Sequence, residues 1–142
     1  MNRIEFVVKN NDDVEFVDVF IDGVNLVEIL KEYESPFAGS IAGDYMGLPP
    51  EIVFLPSRHF LGEPVYELDF YEDKSAILGC SCGVIECWPF VAKITVNEEM
   101  VTWSDFEQPH RRPESAGGYW NYNQLSPFVF DRKQYKEALK KK

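Results

Sequence analysis

Apolar residues in this chain recur mostly at a spacing of two, the period of a β-strand, and at the helical spacing in only two places. Ile4, Phe6 and Val8 share one face of a first strand. After the polar turn Asn10–Asp13, Val14, Phe16, Asp18, Phe20 and Asp22 continue the alternation, which predicts an N-terminal hairpin. Phe90, Ala92, Ile94 and Val96 line one face of a later strand, with Lys93 and Thr95 turned the other way. Asn97–Glu99 joins it to a strand over 100–106, and shorter strand-like runs fall at 65–71 and 76–78.

Helical spacing appears first at Leu26, Ile29, Leu30 and Tyr33, behind a capping Asn25 with Glu28 three residues on. Ser35-Pro36 should end that helix, because the residue before proline is pushed out of helical geometry. The second helix opens at Asp131, with Gln134 completing a capping box and Tyr135, Ala138 and Leu139 facing inward. Its basic residues Lys136 and Lys140–Lys142 sit at the negative end of the helix dipole. Glycine and proline punctuate 36–64 around one apolar run, Ile52–Leu55, and 107–127 forms a second long loop. The expected fold is α+β: one domain over residues 1–142, with an antiparallel sheet, a short helix near each end and two long loops.

The chain's 142 residues suffice for a core without disulfides, and 11 Phe, 7 Tyr and 3 Trp make that core aromatic. Net charge is −10 and uneven. Residues 1–75 carry 16 acidic and 5 basic side chains, against 8 and 9 over 76–142. Such a surface repels phosphate backbones, so nonspecific nucleic-acid binding is disfavoured, and it attracts a basic protein partner. No run reaches the ~20 apolar residues that cross a bilayer. The first residues lack the basic and apolar regions of a signal peptide, so the cytoplasm is the expected compartment and no membrane is expected as a partner.

All three cysteines fall within Cys80-Ser-Cys82-Gly-Val-Ile-Glu-Cys87. Their spacing is open to a metal clip, a redox switch or a packed hairpin. As zinc ligands, Cys80, Cys82 and Cys87 would need a fourth, and His110 is the next imidazole, 23 residues on. The spacing is irregular for a zinc knuckle, and as packed thiols the three would behave as small hydrophobes. A nucleophilic role needs a base, and only His59 and His110 are offered.

The run Trp103-Ser-Asp-Phe-Glu-Gln-Pro-His-Arg-Arg112 would bring Asp105 and Glu107 to one side, near His110 and Arg111. That is an acid–base group or an ion-paired loop anchor. If the two long loops meet, Arg58, His59, Asp105, Glu107, His110, Arg111 and Trp120 line one cleft. Tyr119–Tyr122 and Pro127–Phe130 are stacking platforms or aromatic pins, and the negative charge favours pins.

The segments Gly79-Cys-Ser-Cys-Gly83 with Cys87-Trp-Pro89, Val101–Arg111 and Pro127–Arg132, together with Gly47–Pro50 and Pro56–His59, resemble a family of small uncharacterised bacterial cytosolic proteins. The resemblance spans most of 20–139 and implies a bacterial, single-domain, intracellular protein. It carries no catalytic residues to transfer. The functional expectation is a non-enzymatic acidic interaction domain of the antitoxin or immunity kind. Its alternatives are a zinc-binding domain built on the cysteine cluster and His110, and an enzyme using the His/Arg/carboxylate cleft.

Overall fold

A computed structural model describes residues 1–64, 73–113, 115 and 118–141. The N-terminal alternation forms the hairpin β1 (Ile4–Asn11) and β2 (Val14–Ile21). Its turn is tighter than the sequence suggested: only Asp12 and Asp13 lie between the strands, both with φ positive, at 51° and 68°. That backbone matches the strand twist, and aspartate is among the few non-glycine residues that tolerate it. A two-residue strand β3 (Val24–Asn25) completes a three-stranded sheet, β1-β2-β3.

β2 buries the residues that lie between those of the alternating set. Val17, Val19 and Ile21 are buried, while Phe16, Asp18 and Phe20 face away from the core. Register explains it: Ile4, Phe6 and Val8 stand opposite Ile21, Val19 and Val17, so the inward face of β1 selects those partners.

α1 (Leu26–Ala38) starts as expected, with Asn25 Oδ1 accepting from the Val27 N–H at 2.9 Å. It does not stop at Ser35. Pro36 lies inside the helix, which runs one turn further to a Gly39 cap whose N–H donates to the Ser35 carbonyl. The Ser35 hydroxyl meanwhile donates to the Lys31 carbonyl at 2.5 Å. Proline this near the end removes one bond from a turn that Gly39 then closes.

The 36–64 stretch contains β4 (Tyr45–Met46), a single helical turn α2 (Pro50–Val53) and a 3-10 turn at His59–Leu61. The expected strand at 65–71 lies outside the described residues. β5 (Ser75–Cys80), β6 (Phe90–Val96) and β7 (Met100–Glu107) follow as antiparallel neighbours. β8 (Phe128–Asp131) overlaps the Pro127–Phe130 segment, whose aromatics predict a pin and no strand. It pairs with β7 through Trp103–Phe128 and Val101–Phe130, completing the five-stranded sheet β4-β5-β6-β7-β8.

α3 (Arg132–Ala138) closes the described chain under an Asp131 cap. Gln134 does not complete the capping box. Its side-chain amide reaches β1 instead, accepting from the Ile4 N–H at 3.0 Å and donating to the Ile4 carbonyl at 2.7 Å.

The α+β class holds, but the sheet is divided in two. The halves are tied by the Val17 N–H to the Leu48 carbonyl at 2.9 Å and the Asn2 N–H to the Val129 carbonyl at 2.7 Å. Gly47 permits the first tie, since a Cβ there would lie 1.9 Å from the Val17 oxygen. One apolar cluster then joins both sheets and the helices, with Trp103, Phe60, Phe90, Phe130 and Tyr135 among its fully buried members.

Candidate functional site

Cys80 ends β5, and the chain turns at once, the Gly83 N–H donating to the Cys80 carbonyl at 3.0 Å. This turn aims the Cys82 N–H at Cys80 Sγ, 3.3 Å away. Cys80 is half-buried, and Cys82 and Cys87 are exposed. Burial pushes the Cys80 thiol up, whereas a hydrogen bond from that thiol holds Cys82 below the usual thiol range. Cys82 also lies within electrostatic reach of Cys87. Even so, among the described residues no group of three or more His, Cys, Asp or Glu side chains is placed to hold a metal ion.

His110 stacks on Trp88, with ring centroids 6.1 Å apart and planes 16° from parallel. The Arg111 guanidinium lies 4.7 Å from the Trp88 ring and 5.7 Å from that of Trp120. The Trp120 backbone N–H donates to the Arg111 carbonyl at 3.0 Å, which folds the 107–127 loop back on itself. Cation–π contact desolvates one face of the guanidinium and fixes its plane. Arg111 is thus an aromatic clamp. The expected partner of the carboxylates is the next residue along: Arg112 Nε lies 2.7 Å from Glu107, which Lys74 meets from the other side at 2.7 Å. Burial raises the Glu107 pKa, but these two cations outweigh it and hold the carboxyl below its usual range.

The strict alternation that would carry Asp105 and Glu107 onto the side of Trp103 is broken. Between Ser104 and Glu107, β7 takes three steps where β6 takes two, from Lys93 to Val91. The extra residue is Asp105, exposed and at φ 52°. This bulge turns Phe106 inward with Trp103 and sends Glu107 to the opposite face.

The remaining cleft candidates sit in separate surroundings. Arg58 is exposed and ion-paired with Glu63. His59 is fully buried, its Nε2 2.7 Å from the Ala76 carbonyl, and burial lowers its pKa. A neutral ring donating from Nε2 satisfies both facts. Of the seven residues, then, His110, Arg111 and Trp120 meet around Trp88, and Glu107 anchors the loop base.

Two features escaped the sequence reading. Glu34 is fully buried, accepting from the Gly43 N–H at 2.8 Å and from the hydroxyls of Tyr45, at 2.7 Å, and Tyr122. Gly43 is required here, because a Cβ would lie 2.7 Å from that of Lys31. Leu26 and Leu30 precede Glu34 at spacings of four, so a carboxylate on the apolar stripe was the available signal.

The second feature is the outer face of the three-stranded sheet. Phe16, Asp18 and Phe20 alternate along β2, facing Lys9, Val7 and Glu5 of β1. Val7, Phe16 and Phe20 are half-buried, and none belongs to the core cluster or packs against it among the described residues. Asp18 lies between the rings. Its carboxyl is pushed above the usual range by burial, against the attraction of Lys9 and a hydrogen bond with Asn25. Comparison of the chain with protein-family models, curated proteins and solved structures finds no match.

Proposed function

We propose that this chain is a non-enzymatic protein-interaction domain that receives a basic partner on the outer face of its three-stranded sheet. The observation that carries this reading is the placement of Asp18 between Phe16 and Phe20, away from the core. Aromatic rings set apart from the core are the kind of anchor on which interfaces concentrate their energy. Lysine and arginine fit this face at both ends: their stems lie along the phenylalanine rings while their cationic heads reach Asp18 and Glu5. The acidic first half of the chain steers such a partner in, more strongly at low ionic strength.

The test is a titration of isotope-labelled protein with an arginine- and lysine-rich peptide, followed by amide chemical shifts. Expected are shifts concentrated at Val7 and Phe16–Phe20, weakening as salt is raised. The charge-neutral double variant Phe16→Ser/Phe20→Ser should weaken binding by about tenfold or more, the size of a lost anchor. Purely electrostatic attraction would ignore that substitution. Shifts centred elsewhere, or unchanged affinity in the variant, would overturn the reading.

A further inference from the structure

β1 forms one edge of its sheet. The Asp22 N–H donates to the Arg3 carbonyl at 2.8 Å, and Glu5, Val7 and Lys9 stand opposite Phe20, Asp18 and Phe16 in the same ladder. Odd-numbered residues of β1 therefore turn their backbone groups to β2, and even-numbered ones turn them outward. Two outward residues are already occupied: Asn2 bonds the Val129 carbonyl, and Ile4 is paired on both groups by the Gln134 amide. The outward groups of Phe6 and Val8 meet no hydrogen-bond partner among the described residues. Alongside them runs a groove of about 620 Å³, lined by Phe6, Val8, Phe54, Gln134, Glu137 and Ala138.

We infer that a second copy of this chain fills that edge, β1 pairing antiparallel with β1 across a two-fold axis at Val7. Charge complementarity selects this occupant and this register. With the axis at Val7, Phe6 exchanges both backbone bonds with Val8 of the second copy, and the reverse pair repeats it. Glu5 then faces Lys9 of the second copy twice over, at the closely spaced non-bonded positions. An axis at Phe6 would set Arg3 against Lys9 and leave only the Phe6–Phe6 pair of bonds, because it places Ile4, whose groups Gln134 holds, opposite Val8. With the axis at Val7, Ile4 falls opposite Asn10 at the end of the ladder, outside the two central bonded pairs. An axis at Lys9 would oppose two lysines. In the Val7 register, each Val8, 37% exposed in the single chain, turns towards the groove of the other copy. The strand suits self-pairing for a further reason. Arg3, Glu5 and Lys9 give β1 and its approach a net charge of +1 within an otherwise acidic half, so the copies meet where their mutual repulsion is least.

Sedimentation velocity of the peptide-free protein, from about 1 to 300 µM, reads the equilibrium directly. Expected is a mass rising from 16.4 kDa toward twice that value with concentration. Glu5→Lys and Lys9→Glu, each alone, set like charges opposite one another and should weaken the dimer by about tenfold or more. The combined swap Glu5→Lys/Lys9→Glu should restore it, a rescue that a merely structural effect would not give. Val8→Pro removes an outward N–H that β2 does not use, and should also yield a folded monomer. A monomer at every concentration would overturn the inference, as would a dimer indifferent to Glu5→Lys. Failure of the double swap to restore association would overturn the register. None of these outcomes depends on whether the outer face binds a basic peptide.

Discussion

Glu34 is held by three donors, from Gly43, Tyr45 and Tyr122, which join α1 to the segment that follows it, β4 included, and to the 107–127 loop. A buried carboxylate with its lone pairs filled fixes the relative placement of those segments, at the cost of desolvating a charge. Glu34→Ala would leave the donors facing a void. It should lower unfolding free energy by about 3 kcal/mol or more in urea denaturation, the penalty for several buried unsatisfied donors. Glu34→Gln keeps the shape but turns an NH2 group toward a donor, so it should lose less. A loss under about 1 kcal/mol for Glu34→Ala would mean that the tyrosines find other partners at no cost. The residue was legible only in part. Its place on the Leu26–Leu30 stripe follows from periodicity, whereas its partners come from segments more than eight residues away and leave no local pattern.

At the level of elements, the sequence reading succeeded where period and capping are local. The β1–β2 hairpin, the start of α1, the β6–β7 pair and α3 all follow from alternation, an Asn or Asp cap and apolar spacing. It failed where a distant partner decides. β8 is four residues long and becomes a strand because β7 offers it an edge, and Gln134 deserts its own helix start for the edge of β1. The bulge at Asp105 is the failure that mattered for the site, since one extra residue reverses the side on which Glu107 falls. Asp105 is held at φ 52°, where glycine is free of strain and β-branched residues are strongly disfavoured. Asp105→Gly should therefore be neutral or stabilise by up to about 1 kcal/mol, and Asp105→Val should destabilise by about 1–2 kcal/mol. A marked loss in Asp105→Gly would show that the carboxylate, and not the backbone, is what this position needs.

Across the whole molecule, buried titratable groups pull stability in opposite directions with pH. Glu34 and Asp18 have pKa values raised in the folded state, mainly by burial. The folded chain holds their protons more tightly, so their contribution improves as pH falls through the raised values and is lost as pH rises through them. Relief of the −10 net charge acts in the same sense. His59 opposes this. Its pKa is lowered by burial from an unfolded value of 6.5, so the unfolded chain takes up the proton first and stability falls as pH drops below that point. Glu107, held down by Lys74 and Arg112 despite its own burial, adds a loss at lower pH still, as pH falls from its unfolded value of 4.5 through the depressed one. The sum predicts a stability maximum between the acid-side losses from His59 and Glu107 and the alkaline-side loss from Glu34, Asp18 and the net charge, with a decline on each side. Urea midpoints measured from about pH 4.5 to 8.5 check the shape. Glu34→Gln should flatten the alkaline limb, because it removes a carboxyl whose proton the folded state prefers to keep. His59→Gln should flatten the acid limb below 6.5 while losing stability overall. Stability climbing steadily to pH 8.5 would show that neither Glu34 nor the surplus of acidic side chains governs the fold near neutrality.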